Sequence, residues 1–381
     1  MAFLKDDLLD RIHERAAKYD SENTFPWEDY EELKEAGYYK AFVPEEYGGH
    51  GLTLPEIAKE QTRLAKAAPG TALGINMHQI IVGLGRHMVA RGNKKGEQIL
   101  RGAAAGDLYG FGISEPANDR VLFGSISEAR PDGEGGYSFH GTKVFTSLAP
   151  AWTKLMTYGQ DNESEDGPKS VFAILDREGG GFKILDDWDT LGMRATQSNS
   201  TILEGAHADE DAILTRVDPG ASLDPVVLGI YGNFEILLAA TYAGIGDRAV
   251  EVAVETVKKR KSVMNETTYS NDQDIRRIIA TAAVEMDGIH AHIDHIATAF
   301  ENMEDRGFGW LPQLSAVKHR SAEASLFSVQ QAVRASGGSS YYNSKELSRL
   351  YRDVVAGLFQ PSDAESLYAG WANMLLGPIE K

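Results

Sequence analysis

The spacing of apolar residues divides the chain into three regions. From Leu8 to about Gly106, apolar residues recur at helical intervals, in LLDRIHERAAKY, WEDYEELKEAGYY, LPEIAKEQTRLAKAA and INMHQIIVGLGRHMVARG. This spacing places apolar side chains on one face of each helix, which is typical of helices that pack on a core. We therefore predict a helical N-terminal domain over residues 1–108.

The pattern changes to short alternating runs from Asp107 to about Leu214. The runs are LYGFGISE, GSISEARP, GYSFHGTKVFTS, LMTYGQ, SVFAILD and GFKILD, and Gly, Asp or Pro separates them. Alternation over so few residues is typical of strands with one buried face. We predict a central antiparallel β domain over residues 109–214.

Long helical periodicity returns from about Leu228 to the end of the chain. The strongest segments are Phe234–Lys261, Ile275–Asn302 and Leu314–Ser336. They predict a C-terminal helical bundle over residues 225–381. The resulting fold class is α+β, with two helical domains on either side of a β domain.

Net charge and cysteine content exclude several classes of partner and of active site. The chain has 381 residues, with 38 Lys plus Arg against 56 Asp plus Glu, so its formal net charge is −18. That acidity argues against nucleic acid or an anionic membrane as a partner. The absence of cysteine excludes disulfides, thiolate metal sites and a cysteine nucleophile. The acidic residues near the start argue against a signal peptide, and we expect no apolar run long enough to span a bilayer. We therefore expect a cytoplasmic protein.

Five motifs in order resemble the acyl-CoA dehydrogenase family of flavoproteins, over nearly the whole chain. They are FVPEEYGGHGLTLPE (42–56), FGISEPANDR (111–120), HGTKVFTS (140–147), LGMRATQSNS (191–200) and RLYRD (349–353). The resemblance implies an acyl-CoA dehydrogenase-like fold with FAD between the β domain and the C-terminal bundle. It also implies α,β-dehydrogenation of an acyl-CoA with hydride transfer to flavin N5, an electron-transfer partner, and a homodimer or homotetramer.

The resemblance assigns flavin contacts to the β region. Ser114 is the hydroxyl residue before Glu-Pro, and Phe111 and Ile113 lie beside it. Phe145 matches the aromatic residue that covers the ring, where Trp is usual, and Ser147 matches the hydroxyl near N5, where Thr is usual. A flavin requires a flat apolar contact and hydrogen bonds at its polar edge. The alternative is that both phenylalanines are ordinary core residues of the sheet.

A second group would contact the FAD pyrophosphate of a neighbouring subunit. Arg260 matches the family arginine that follows the first C-terminal helix, although Lys-Ser-Val-Met replaces the frequent Phe-Gly after it. Arg334 stands where a Gln is usual, before the turn at Gly337 and Gly338. Arg can pair with phosphate, and Gly lets backbone N–H groups approach it. The alternative for Arg260 is a cation at a helix end.

The usual catalytic base is missing. Counted from the Arg-Asp pair of RLYRD, its position falls on Pro361, which has no titratable group. A second family location, on the first C-terminal helix, falls on Phe234, so Glu235 is one residue away and about 100° around the helix. We take Glu235 as the candidate base, with a paired structural acid as the alternative. Asp363 and Glu365 are weaker candidates, because this segment has the composition of a helix cap.

The loop after Glu-Pro also departs from the family, because Ala117-Asn118-Asp119-Arg120 stands where the family often has a Gly-rich stretch with Ser. Arg120 could pair with a phosphate of CoA or serve a different substrate. The lost base and altered loop also fit a two-component flavin monooxygenase, such as the dibenzothiophene-oxidising type, using O₂ and reduced flavin from a reductase. That branch tends to have His near Gln360, and His78 or His87 would have to supply a proton donor instead. A non-catalytic subunit of a complex is the third alternative.

No metal site is predicted. Glu285, His290, His292, Asp294 and His295 crowd one helix, but no second element contributes ligands. Metal sites in helical proteins draw ligands from facing helices. We interpret this cluster as a solvated helix face.

Overall fold

The structure, a computed structural model, describes residues 2–264 and 266–379. The first part of the chain is helical, as the spacing predicted, and its helices are α1 (Asp6–Glu22), α2 (Trp27–Glu35), α3 (Leu54–Ala67), α4 (Pro69–Ala90) and α5 (Gly96–Ala105). A capping box starts α3, because the Glu56 carboxylate accepts a hydrogen bond from the Thr53 backbone N–H at 2.8 Å. Helix α4 is buried almost throughout, so it forms the centre of this helical layer.

The central region is one sheet of eight short strands, β1 (Tyr109–Gly112), β2 (Glu128–Pro131), β3 (Tyr137–Lys143), β4 (Lys154–Asp161), β5 (Lys169–Asp176), β6 (Phe182–Ile184), β7 (Thr201–Ala208) and β8 (Ile213–Val217). Their order is β6-β7-β3-β2-β4-β5-β8, and β1 pairs with β4. The β1–β4 and β2–β4 pairings are parallel. The sheet is therefore mixed, and the prediction of a purely antiparallel domain was wrong in this respect. Alternation identifies a strand and its buried face, but it does not encode the direction of the strand beside it.

The last part of the chain is again helical, with α6 (Pro225–Lys259), α7 (Gln273–Glu301), α8 (Trp310–Ser336), α9 (Glu346–Val354) and α10 (Ala364–Leu376). The predicted α+β arrangement is confirmed. Helix α6 begins at Pro225 rather than Phe234, because the Asp224 carboxylate caps it by accepting from the Val226 N–H at 2.8 Å. The division into domains at residues 108, 214 and 225 stays a prediction.

Helix α6 differs from the expectation that no apolar segment is long enough to span a bilayer. By length and composition it is apolar enough to cross a membrane, yet 89% of its most apolar 18-residue window is buried inside the protein. It packs against α3, α4, α7 and α8. That burial is what the central helix of a globular core shows.

Two of the sequence motifs contact each other. The Asp353 carboxylate of RLYRD accepts from the Met193 N–H of LGMRATQSNS at 2.6 Å, and Arg352 donates to the Leu191 carbonyl at 2.9 Å. A side chain at Gly192 would lie 2.2 Å from the Arg352 carbonyl oxygen. This contact fixes α9 against the β region, and with it the start of the segment that leads to Pro361.

Candidate functional site

A cavity of about 500 Å³ lies between the β region and the C-terminal helices. Its wall contains five of the predicted site residues, namely Phe111, Ile113, Ser114, Arg120 and Glu235. Most of the remaining wall comes from α6, from the start of α8 and from the segment around Pro361. The structure therefore brings the candidate base and the candidate flavin strand to one cavity.

Glu235 is fully buried on the α6 wall of this cavity. Its Oε1 accepts hydrogen bonds from the Ser362 backbone N–H at 3.0 Å and from the Ser362 hydroxyl at 2.7 Å. Its Oε2 has no hydrogen-bond partner within the described part of the chain. Burial raises the pKa of Glu235 to about 7, although the charge of Lys318 and the bonds from Ser362 act in the opposite direction. A carboxyl group with this pKa can take up or release a proton near neutrality.

The proline at the expected base position borders the same cavity. The next residue, Ser362, supplies both hydrogen bonds to Glu235. Lys318 on α8 fixes this segment, because its ammonium group donates to the carbonyl oxygens of Gly357 (2.8 Å), Ser362 (3.1 Å) and Gln360. The segment around Pro361 therefore orients a carboxylate that comes from α6.

Two further hydroxyl groups, those of Tyr231 and Ser315, lie beside the Glu235–Ser362 contact. Tyr231 Oη lies 2.5 Å from Ser315 Oγ and 2.7 Å from Ser362 Oγ, and the two serine oxygens are 3.0 Å apart. Tyr231 and Ser315 also border the cavity. Tyr231 and Ser315 were not predicted from the sequence. The available signal was the spacing of Tyr231 and Glu235, four residues apart and hence on one face of α6.

Strand β1 forms the sheet side of the cavity. The Phe111 ring stacks on the Phe234 ring of α6, with centroids 5.5 Å apart and planes 26° apart. The Ser114 carbonyl accepts a hydrogen bond from the Val144 N–H at 2.9 Å. That bond places the segment carrying Phe145 and Ser147 directly beside the end of β1.

Phe145 and Ser147 differ in exposure. Phe145 is 63% exposed with a positive φ of 56°, and its ring lies edge-on to Trp188. Ser147 is buried, with its hydroxyl 2.8 Å from Ser198 Oγ. Neither borders the cavity of Glu235, as far as residues 2–264 and 266–379 are concerned. An exposed aromatic ring next to hydroxyls and the end of β1 fits a flat ring system such as a flavin, so their role stays a prediction.

Another buried acid holds the loop that carries Arg120. The Glu115 carboxylate accepts from Lys143 Nζ at 2.6 Å and from the N–H groups of Ile126 (2.8 Å) and Ser127 (3.1 Å). Burial alone would raise the pKa of Glu115, but Lys143 and the hydroxyl donors lower it to about 2. The Arg120 side chain is exposed at the cavity wall, which places a positive charge where the cavity meets solvent.

The predicted pyrophosphate residues lie elsewhere. Arg260 donates to the Ser336 carbonyl, and its guanidinium group lies 4.7 Å from the centroid of the Tyr269 ring. Gly337 has a φ of 75°, and a Cβ atom there would lie 2.8 Å from Arg260 Nη1. Arg334 and Gly338 are exposed nearby. The four residues share one end of α8, and binding of pyrophosphate there stays a prediction.

The weaker candidates have structural explanations. Asp363 caps α10, because its carboxylate accepts from the Ser366 N–H at 2.9 Å, as the cap interpretation predicted. His78 uses both ring nitrogens, one with the Tyr39 carbonyl (2.7 Å) and one with the Tyr109 N–H (3.1 Å). His87 borders a separate cavity of about 270 Å³. Neither histidine reaches the cavity of Glu235.

In the described residues no group of three or more His, Cys, Asp and Glu side chains could hold a metal ion. His290 pairs with Asp247 at 3.0 Å, and Asp294 pairs with Lys59 at 3.0 Å. Both contacts are partly exposed, as a solvated helix face requires.

Comparison with known proteins identifies two family matches. Residues 5–107 match the family described as "Acyl-CoA dehydrogenase, N-terminal domain", and residues 236–359 match "Acyl-CoA dehydrogenase, C-terminal domain". The chain is 29% identical over 362 residues to L-evernosamine nitrososynthase of Micromonospora sp., covering 92% of this chain and 84% of the relative. It is 25% identical over 346 residues to glutaryl-CoA dehydrogenase of Desulfococcus multivorans, covering 89% and 86%.

A solved structure supports the same similarity. The X-ray structure of a KijD3 in complex with FMN and dTDP-3-amino-2,3,6-trideoxy-4-keto-3-methyl-D-glucose is similar with a TM-score of 0.86 and 26% identity. The match covers 98% of this chain and 92% of that one. The similar proteins therefore include a glutaryl-CoA dehydrogenase, a nitrososynthase and a protein solved in complex with a dTDP-linked amino sugar.

Proposed function

Because the chain belongs to the acyl-CoA dehydrogenase family and is a flavin-dependent oxidoreductase, we propose that it catalyses α,β-dehydrogenation of an acyl thioester with Glu235 as the base. The observation that carries this proposal is a buried carboxylate with one unpaired oxygen at the wall of the cavity that β1 also lines. The cavity thus has a proton acceptor on α6 and the candidate flavin surface on β1.

Removal of the α proton requires a base that is ionised at working pH and shielded from water. Burial shields Glu235 from water, and its pKa of about 7 leaves a large fraction of the carboxyl group ionised near neutral pH. When bound, the flavin would accept the hydride from Cβ. The hydrogen bonds from Ser362 hold Oε1 in place and orient the carboxylate.

The cavity wall fits an acyl chain with a charged carrier. Its interior side chains include Phe111, Ile113, Ile230 and Leu311, which suit an apolar chain. Arg120 at the exposed edge suits a phosphate of CoA. Asp119 lies next to it, so the charge at this edge is not uniformly positive.

The test is anaerobic mixing of FAD-loaded protein with acyl-CoAs of graded chain length and branching, followed by flavin absorbance. Rapid bleaching with at least one acyl-CoA supports dehydrogenation. If no acyl-CoA bleaches the flavin while dithionite does, dehydrogenation is wrong for this set of thioesters.

A second candidate function is oxygenation of a polar substrate by O₂ and reduced flavin from a reductase. Similarity to a nitrososynthase over 92% of this chain favours it, together with the proline at the expected base position. In this reaction Glu235 would accept the proton of a substrate ammonium group, which must be neutral to react. Product formation from a dTDP-amino sugar, dependent on both O₂ and reduced flavin, would support it over dehydrogenation.

The cofactor is proposed to be FAD, with FMN as the alternative because the similar KijD3 binds FMN. Only FAD has the pyrophosphate assigned to Arg260, Arg334, Gly337 and Gly338. We further propose a homodimer or homotetramer in which this cluster serves the neighbouring subunit. Arg260→Ala should weaken FAD binding on the order of tenfold and leave FMN binding unchanged, measured by fluorescence titration of the apoprotein. Equal loss for both flavins would contradict the pyrophosphate assignment.

A further inference from the structure

Glu235 is enclosed although the proposed function requires it to exchange protons. Its exposed fraction is 0%, so no water-sized group touches the carboxylate. The hydrogen bonds that reach it come from Ser362, which is itself buried. A proton that arrives from or leaves to the cavity must therefore pass through other groups or wait for the side chain to rotate.

The neighbouring hydroxyls provide a continuous path. Ser362 Oγ lies 2.7 Å from Glu235 Oε1 and 2.7 Å from Tyr231 Oη. Ser315 Oγ, which also contacts Tyr231, lies 3.0 Å from the Leu311 carbonyl oxygen. If Ser315 donates to that carbonyl, Tyr231 can donate to Ser362, and Ser362 donates to Glu235. The Tyr231 and Ser362 hydroxyl protons then both point toward the carboxylate, while the Ser315 proton points to the Leu311 carbonyl.

We propose that Tyr231 and Ser362 form a proton relay between the cavity and Glu235. In the forward direction Glu235 takes the Ser362 hydroxyl proton, Ser362 takes the Tyr231 proton, and Tyr231 takes a proton from the donor in the cavity. Both hydroxyl residues are neutral before and after transfer, and Glu235 alone gains a proton. The reverse sequence returns the proton to the cavity after turnover. The relay rests on the proposed function only in naming Glu235 as the base.

Neighbouring groups keep Ser362 in position and Tyr231 protonated. Lys318 Nζ donates a hydrogen bond to the Ser362 carbonyl at 3.1 Å, and this bond fixes the position of Ser362 beside Glu235. Burial and the nearby Glu235 charge raise the pKa of Tyr231, which keeps the phenol protonated and able to donate. Tyr231 borders the cavity, so the outer end of the path is accessible to a substrate.

The experiment measures hydrogen exchange of the Glu235 carboxyl group by infrared spectroscopy of the flavin-loaded protein below the pKa of about 7. The carboxylic acid C=O band is assigned by its loss in Glu235→Gln, and its shift after transfer to D₂O gives the exchange rate. Ser362→Ala removes the hydroxyl and keeps the backbone donor to Oε1. We expect it, and Tyr231→Phe, to slow exchange by on the order of tenfold or more.

Two further variants separate the relay from a packing effect. Ser362→Thr keeps a hydroxyl and should restore most of the exchange rate. Ser328→Ala removes a buried serine hydroxyl elsewhere on α8 and should leave the rate unchanged. If exchange is as fast in Ser362→Ala and Tyr231→Phe as in the wild-type protein, the relay is wrong.

This measurement needs no substrate, so it fails separately from the proposed function. Absence of bleaching by acyl-CoAs with slowed exchange in the variants would reject dehydrogenation and keep the relay. Bleaching by an acyl-CoA with unaltered exchange would do the reverse. A band that Glu235→Gln does not remove would mean that Glu235 is ionised at that pH, and the relay would then have no proton to carry.

Discussion

Two glutamates are buried beside lysines in this protein, and their surroundings give them opposite properties. Glu115 contacts Lys143 directly at 2.6 Å, and both side chains are fully buried. The positive charge of Lys318 acts on Glu235, but the ammonium group of Lys318 donates its hydrogen bonds to three backbone carbonyls. The pKa of Glu115 is lowered to about 2, whereas the pKa of Glu235 is raised to about 7.

The difference follows from direct ion pairing, because both carboxylates are buried but, of the two, only Glu115 contacts its lysine. A paired carboxylate keeps its charge at every physiological pH and can only fix a loop. An unpaired carboxylate at the same depth is near its midpoint at neutral pH and can exchange a proton. We therefore expect substitution of Glu115 to change stability and substitution of Glu235 to change proton transfer.

The largest effect should come from Glu235→Gln. Loss of a positioned base typically costs 10²–10⁴-fold in the step it serves, so flavin reduction by an acyl-CoA should fall by about that factor while flavin binding persists. Stopped-flow absorbance under anaerobic conditions measures it. Glu365→Gln, which changes an exposed acid in the first turn of α10, is the matched control and should react normally. Reduction of the Glu235→Gln protein at the wild-type rate would remove Glu235 from the role of base.

Glu115→Gln should instead affect stability. It leaves Lys143 buried without its counter-charge, and breaking a buried ion pair in this way costs about 3–5 kcal/mol. Denaturant unfolding of the flavin-free protein measures the change. Glu128→Gln removes an exposed partner of Arg130 and should cost no more than about 1 kcal/mol. Equal stability of the two variants would contradict the structural role of Glu115.

The sequence predicts a role more readily when the residues that contact each other are close along the chain. Glu235 was recognised because a single acid in the run Phe234–Ala240 is conspicuous on any apolar helix. The rotation of about 100° left its orientation open, and the contact that resolves it joins residues 127 positions apart. Ser315 and Lys318 fit ordinary helical periodicity, so nothing local marked them, and for Tyr231 the local signal was its spacing of four residues from Glu235. The same limit applies to the parallel pairing of β1 and β4.

The pH dependence of stability should distinguish the two acids by sign. The pKa of Glu235 rises on folding from 4.5 to about 7, so the folded state binds the extra proton and stability falls as pH increases across that interval. The pKa of Glu115 falls on folding, so its contribution is present above 4.5 and is lost toward pH 2. Glu235→Gln should therefore remove a decline of up to about 3 kcal/mol between pH 4.5 and 7, measured by thermal unfolding. An unchanged slope would mean that Glu235 is ionised throughout.

The smallest effect should come from Lys318→Met, which tests why Glu235 stays unpaired. The substitution removes the donor from the carbonyls of Gly357, Gln360 and Ser362, and it removes the positive charge that favours ionised Glu235. The pKa of Glu235 should rise further, so the pH midpoint of flavin reduction moves upward. A loss of about 1–3 kcal/mol of stability accompanies it because buried carbonyls lose their partner. Lys154→Met, which breaks a partly exposed pair with Asp176, should lower stability slightly and leave the midpoint unchanged. A downward shift with Lys318→Met would contradict this account, because the lysine charge and the hydrogen bonds from Ser362 both lower the pKa of Glu235.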